Sequence, residues 1–246
     1  MQLTFEGKTL DQIAIERIRE YEPSEGYYLG FSGGKDSVVI YDLVVRSGVK
    51  FDAHYNVSPI DPPEIREFIK TNYPDVRWSY HARGFFKRVL TEGLPMRPTP
   101  QHKWSRWCCQ YIKEAGGIGR VKLLGMRRSE SNKRKDYQIY KDFCLAEHTY
   151  WFLPIVDWLR SDVWSYIEEA GLQVCSLYKE GFKRIGCVLC PMLTAGQTKR
   201  QMMRFPKITQ CWRLASDRYF DKRIERGTPL PWKTKDEFWN WWISRK

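Results

Sequence analysis

Residues 27–45 constrain the fold of this chain more than any other segment. Tyr27-Tyr28-Leu29-Gly30-Phe31 is a short apolar run that ends in Ser32-Gly33-Gly34-Lys35-Asp36-Ser37, and the stretch from Ser37 to Val45 is again almost wholly apolar (Val38, Val39, Ile40, Leu43, Val44, Val45). Such a pattern reads as a buried strand entering a tight loop, followed by a helix packed on a sheet. Two adjacent glycines let the backbone approach an anion and aim successive N–H groups at it. A helix beginning near Asp36 adds its positive end, and Lys35 adds a point charge. The loop departs from the nucleotide-binding pattern Gly-x4-Gly-Lys-Ser/Thr, because Asp36 follows Lys35 and Leu29 stands where a glycine is required. Ser32 to Ser37 is therefore a candidate phosphate loop of another kind, and the plain alternative is an ordinary glycine turn.

The rest of the chain repeats the alternation. Residues 9–21 read as an amphipathic helix, Lys50 to Val57 as a second strand, and Pro62 to Thr71 as a helix opened by prolines at its first turn. Val76 to Tyr80 reads as a third strand and Arg120 to Met126 as a fourth. Strands alternating with helices predict an α/β fold with a mainly parallel sheet and flanking helices. From about residue 160 the pattern turns helical, with segments at 161–170, 197–205, 207–226 and 234–244; Ser161 with Asp162 reads as an N-cap and Gly171 as the stop. The expected organisation is an α/β domain over residues 1–160 and a helical C-terminal extension over residues 161–246.

With 41 Lys+Arg against 29 Asp+Glu, the net charge is +12. An excess of that size attracts polyanions or phosphorylated small molecules and leaves the fold undetermined. No stretch approaches the length of apolar sequence a membrane span needs, and Met1 to Glu6 lack the features of a signal peptide. Seven cysteines do not form a disulfide framework, so reduced or metal-bound thiols in a cytoplasmic protein are expected. Four of them make two pairs, Cys108-Cys109 and Cys187-x-x-Cys190. Adjacent cysteines diverge, which suits neighbouring irons of a cubane cluster better than one tetrahedral zinc; zinc and unligated buried thiols remain the alternatives. Cys144, Cys175 and Cys211 read as packed thiols. Gly125 to Lys135 follows the fourth strand and carries Arg127, Arg128, Lys133, Arg134 and Lys135, either a ligand-binding strand end or a solvated basic loop. His81, His102 and the aromatic tail Phe238-Trp239-Asn240-Trp241-Trp242 suggest no role beyond packing of the tail.

Phe31 to Ser37 resembles the PP-loop of the adenine-nucleotide α-hydrolase family, and the branch similar to phosphoadenosine phosphosulfate (PAPS) reductases fits best. Further matches are Pro62-Pro63-Glu64, Arg106-Trp107-Cys108-Cys109, Gly125 to Ser131, Asp162-Val163-Trp164-Ser165-Tyr166-Ile167 and Arg184-Ile185-Gly186-Cys187-Val188-Leu189-Cys190-Pro191. The resemblance implies the HUP/PP-loop type of fold and binding of ATP, with Mg²⁺, by Ser32, Gly33, Gly34, Lys35, Asp36, Ser37, Arg127 and Arg134. Within that set Lys35, Asp36 and Arg127 are implied to carry the chemistry, which expels pyrophosphate and leaves an adenylylated acceptor. It further implies a 4Fe–4S cluster on Cys108, Cys109, Cys187 and Cys190, with the Cys-x-x-Cys half contributed by the C-terminal extension. The acceptor is expected to be a nucleic acid, tRNA or DNA, or a small sulfur-containing substrate, with a cysteine desulfurase as possible sulfur donor. The competing readings are an adenosine phosphosulfate (APS) or PAPS reductase and a nucleic-acid-binding module. As a family the reductases tend to lack the loop lysine, which this chain keeps as Lys35, and they carry a nucleophilic cysteine in a Glu-Cys-Gly-like motif, which Thr209-Gln210-Cys211-Trp212 does not match.

Overall fold

The computed structural model describes residues 7–80, 84–99, 106–144 and 149–244, with the side chains of 141–144 excepted. They form two compact units, each assembled from segments distant in sequence. The first draws on Met1–Asn56, Pro63–Ser79 and Gly116–Ile185, and the second on Val57–Pro62, Tyr80–Ala115 and Gly186–Lys246.

The first unit is built on a sheet of six strands: β1 (Tyr27–Gly30), β2 (Phe51–Asn56), β3 (Arg77–Ser79), β4 (Val121–Leu123), β5 (Tyr140–Cys144) and β6 (Thr149–Phe152). Their order is β3-β2-β1-β4-β6-β5. β1 lies parallel to β2, with Tyr27 opposite Phe51, and to β4, with Leu29 opposite Leu123. β2–β3 and β4–β6 are parallel too, whereas β5 runs antiparallel to β6 at one edge. This is the mainly parallel α/β architecture that the alternation predicts. Parallel strands are covered on both faces, so they read as apolar runs without alternation; Leu29, Leu123 and Phe152 are accordingly fully buried.

Helices α1 (Leu10–Glu20), α2 (Lys35–Ser47), α3 (Pro63–Asn72) and α5 (Arg160–Glu169) belong to this unit. α2 packs on α1 and on α5, and buries Val38, Val39, Ile40, Leu43 and Val44. It stops at Gly48, whose φ of 74° is the left-handed conformation that glycine tolerates best. α5 begins two residues earlier than Ser161 as cap would require. Leu159 is the N-cap, and Asp162 in the first turn takes the Leu159 N–H at 2.7 Å. Gly171 ends the helix as expected, at φ 63°. Strands β5 and β6 and helix α4 (Phe85–Glu92) have no counterpart in the sequence reading.

The second unit is helical: α4, a π-helical turn at Cys109–Lys113, α6 (Ala195–Arg204), α7 (Pro206–Glu225) and α8 (Lys235–Ser244). α6 opens with a capping box, Thr194 N–H to Gln197 Oε1 at 2.9 Å, and α7 opens with Pro206. The core centres on Trp212, whose ring lies 5.2 Å from Phe85 and 4.9 Å from Trp242. Buried indoles need a partner for their N–H. Trp212 donates to Val188 O at 3.1 Å, Trp242 to Pro95 O at 3.0 Å and Trp107 to Gly93 O at 3.0 Å. The aromatic tail thus packs through Phe238, Trp239 and Trp242. Among the described residues no helix is long and apolar enough to cross a membrane.

Candidate functional site

The loop between β1 and α2 is shaped by two glycines. Gly33 adopts φ 70°, and a Cβ there would stand 3.1 Å from the Ile69 side chain; Gly34 is the N-cap of α2. Ser37, inside the first turn, donates from Oγ to Gly34 O at 2.8 Å and accepts from Ser32 N–H at 3.3 Å. These bonds hold the loop folded back on the helix start, where unpaired N–H groups and the helix dipole favour an anion.

Two buried cations stand beside it. Lys35 is 5% exposed and Arg127 3% exposed. Asp36 lies between them, with Oδ2 2.6 Å from Lys35 Nζ and Oδ1 2.9 Å from Arg127 Nε. Burial pulls the pKa of the Lys35 ammonium below its ordinary value, and Asp36 opposes that pull without cancelling it. Arg127 also donates to Ser129 Oγ at 2.9 Å and Trp158 O at 3.4 Å, while Glu130 is ion-paired with Arg134. The structure therefore brings Ser32, Gly33, Gly34, Lys35, Asp36, Ser37, Arg127 and Arg134 into the first unit as one connected set. The close approach of β4 to α2 depends on Gly125, where a Cβ would meet Asp36 O at 2.7 Å.

Sequence reasoning missed Tyr178. It sits in a 3₁₀ turn, Ser176–Tyr178, and its Oη accepts the Lys35 N–H at 2.9 Å. Burial raises the phenol pKa, which keeps the hydroxyl protonated. Nothing local in the sequence marks this residue, since the contact spans 143 positions.

The second unit holds the four paired cysteines. The Cys187-x-x-Cys190 loop is pinned at its centre: Val188 N–H donates to Ile60 O at 2.7 Å and Leu189 N–H to Gln201 Oε1 at 2.8 Å. Leu189 adopts φ 56°, the one left-handed non-glycine among the described residues. On the other side, Arg106 donates from Nη2 to Cys109 Sγ at 2.6 Å. Hydrogen bonding from Cys108 and the Arg106 guanidinium lower the Cys109 thiol to about 6 against the effect of burial, while its bond to Cys109 and burial push Cys108 up. Cys187 and Cys190 lie within electrostatic reach of Cys108. Two residues beyond the cysteine pairs join them: Asp61, 3% exposed, takes Lys113 Nζ at 2.5 Å and the Cys187 thiol at 3.4 Å. Four gathered thiols suit a soft metal or an iron–sulfur centre in donor chemistry. As they stand, however, no three metal-ligating side chains among the described residues converge as a metal-ion site.

Of the remaining cysteines, Cys175 is buried as expected, whereas Cys211 is exposed on α7, because its face of that helix turns from the core. The Cys144 side chain, His81 and His102 lie outside the described residues.

The model of the phosphoadenosine phosphosulfate reductase domain matches residues 26–193. An uncharacterised protein of Methanocaldococcus jannaschii is 27% identical over 234 residues, which cover 89% of this chain and 46% of that protein. The chain thus spans about half the length of that relative. An adenosine 5′-phosphosulfate reductase of Staphylococcus epidermidis is 23% identical, with 86% of this chain and 89% of that protein covered. The crystal structure of phosphoadenylyl-sulfate reductase from Candida auris, a phosphate complex, superposes with a TM-score of 0.51 at 16% identity, over 76% of this chain and 97% of that one. The fold is shared with it.

Proposed function

The chain belongs to the phosphoadenosine phosphosulfate reductase domain family, and from that premise we propose that it binds ATP at Ser32–Ser37 and cleaves it between the α and β phosphates, adenylylating an acceptor for sulfur transfer. The observation that supports this reading most is Lys35, kept in the loop, buried and held by Asp36 beside the first turn of α2. A lysine there serves a substrate with β and γ phosphates, which an adenylyl sulfate lacks.

In the proposed reaction a nucleophile of the acceptor attacks the α phosphorus. The bond from that phosphorus to the bridging α–β oxygen breaks, and pyrophosphate leaves with its electron pair. Loop N–H groups and Lys35 neutralise the charge that develops on the departing oxygens. Arg127, aligned by Asp36, Ser129 and the Trp158 carbonyl, faces the α phosphate. Both Asp36 oxygens are engaged by cations, so Asp36 orients Lys35 and Arg127 rather than standing free as a ligand for Mg²⁺, which would supply further charge neutralisation on the polyphosphate. A sulfur nucleophile then displaces AMP from the acceptor. Cys108, Cys109, Cys187 and Cys190 would hold the iron–sulfur centre, which would serve as sulfur carrier or structural element.

The test is product analysis after incubation with ATP and Mg²⁺. AMP and pyrophosphate are expected, and Lys35→Ala should remove a charge-assisted contact of about 1.5–3 kcal/mol, slowing turnover by roughly one to two decades. ADP and phosphate as products, or an unaffected mutant, would refute the assignment. The second reading, reduction of APS or PAPS, is favoured by the similarity to the staphylococcal reductase along nearly its whole length. Release of sulfite from either nucleotide in the presence of a thiol reductant would establish it instead.

A further inference from the structure

Each of the loop's cations is already engaged by a carboxylate. Asp36 holds both Lys35 and Arg127, and Glu130 holds Arg134 while standing 3.9 Å from Arg127 Nη2. Three positive charges thus face two negative ones before any ligand arrives. A polyphosphate that carries several charges needs a cation that is not so compensated.

Arg160 is such a cation. It is exposed, and no carboxylate lies within ion-pair distance of it among the described residues. It is the first residue of α5, two positions after Trp158, whose carbonyl accepts from Arg127 and, at 3.0 Å, from Ser129 Oγ. Trp164 follows four residues later on the same helix face, and its ring meets the Tyr178 ring edge-on at 5.2 Å. Arg160 thus lies on the helix face that meets Tyr178, close enough to act on the charge of both Tyr178 and Lys35.

Tyr178 completes the arrangement. Its Oη accepts the first amide of α2, 2.9 Å away, and would lie 3.6 Å from a Cβ on Gly34. A hydroxyl both accepts and donates, whereas an ionised phosphate oxygen only accepts. The Tyr178 hydroxyl, an acceptor of the Lys35 N–H here, is thus also equipped to donate to an anion at the helix start.

We propose that Arg160 and Tyr178 select for a polyphosphate at this site: Arg160 supplies the uncompensated charge and Tyr178 a neutral donor to the phosphates beyond the α position. This rests on the ATP reading above and adds two ligands to it. A nucleoside monophosphate, lacking those groups, gains nothing from either side chain.

Calorimetric titration of inorganic pyrophosphate and, separately, of AMP into wild type, Arg160→Ala, Arg160→Lys and Tyr178→Phe tests it. Both truncations should weaken pyrophosphate binding by about tenfold or more, leave AMP binding unchanged, and be largely rescued at position 160 by lysine. Arg160 is exposed and Phe keeps the Tyr178 ring, so neither change removes core packing. Equal pyrophosphate affinity in all four proteins would overturn the inference and leave the ATP reading standing. Parallel losses of pyrophosphate and AMP would also overturn it, since the two residues would then support the nucleotide pocket as a whole. Failure of the wild type to bind either pyrophosphate or ATP would remove both this inference and the function it rests on.

Discussion

At the residue scale, Asp36 shows how one carboxylate sets the state of its neighbours. Lys35 is poorly solvated, which lowers its pKa, and Asp36 opposes that fall. Asp36→Asn removes that support, so the Lys35 pKa should fall further. If turnover requires charged Lys35, activity lost as pH rises should then be lost at a lower pH than in the wild type; a pH–rate profile with an unmoved alkaline limb would contradict this. The cysteines carry a second prediction at this scale. Replacing any one of Cys108, Cys109, Cys187 or Cys190 by Ser should lower the iron and sulfide content of anaerobically purified protein, whereas Cys175→Ser should not. Stoichiometric zinc without sulfide would decide for a structural metal. Both residue sets were visible in the sequence, as a glycine-lysine loop and as two cysteine pairs. Tyr178, Asp61 and Lys113 were not, because a tyrosine, an aspartate and a lysine gain meaning only from what the fold sets against them.

Among the elements, β1, the loop and α2 form one device, and β4 closes it from the side. Gly125→Ala would press a Cβ against the backbone of Asp36, which cannot swing away as a side chain can. It should cost about 1–3 kcal/mol of stability and reduce ATP cleavage more than a surface change of equal cost; thermal unfolding and kinetics together check this. Unaltered stability would mean that the two elements are not in contact in solution. The first four strands and the main helices were legible because buried parallel strands appear as unbroken apolar runs beside glycine punctuation. β6 was not, although Leu153, Ile155 and Val156 after it are fully buried. Its Thr149-Tyr150-Trp151-Phe152 is short and lacks the glycine loop that marks β1, and its antiparallel partner β5 is a charged edge strand. α4 escaped because its eight residues give barely two turns of periodicity.

For the whole molecule, charge and connectivity matter most. Residues 186–246 carry 13 basic and 5 acidic residues, a net of +8 of the chain's +12, and the stretch 186–216 has no acidic residue at all. If the acceptor is a nucleic acid, binding of tRNA or DNA should weaken linearly with log salt, at a slope of about −0.9 per phosphate contact for duplex DNA and about −0.7 for single strands. Replacing Lys199 and Lys207, both exposed, by Glu should flatten that slope. A protein that binds neither nucleic acid at low salt acts on a small acceptor. The interleaving of the two units has a further effect, on inheritance. The segment bearing Cys108 and Cys109 lies in the chain between two segments of the unit that bears the phosphate loop, so any single break between Val57 and Ile185 divides both units at once. One crossover between residues 57 and 107 exchanges the loop and keeps the thiols, but it leaves each unit a composite of two lineages. Packing matched within one lineage is then broken in both units at once, so selection favours inheriting the loop and the thiols together.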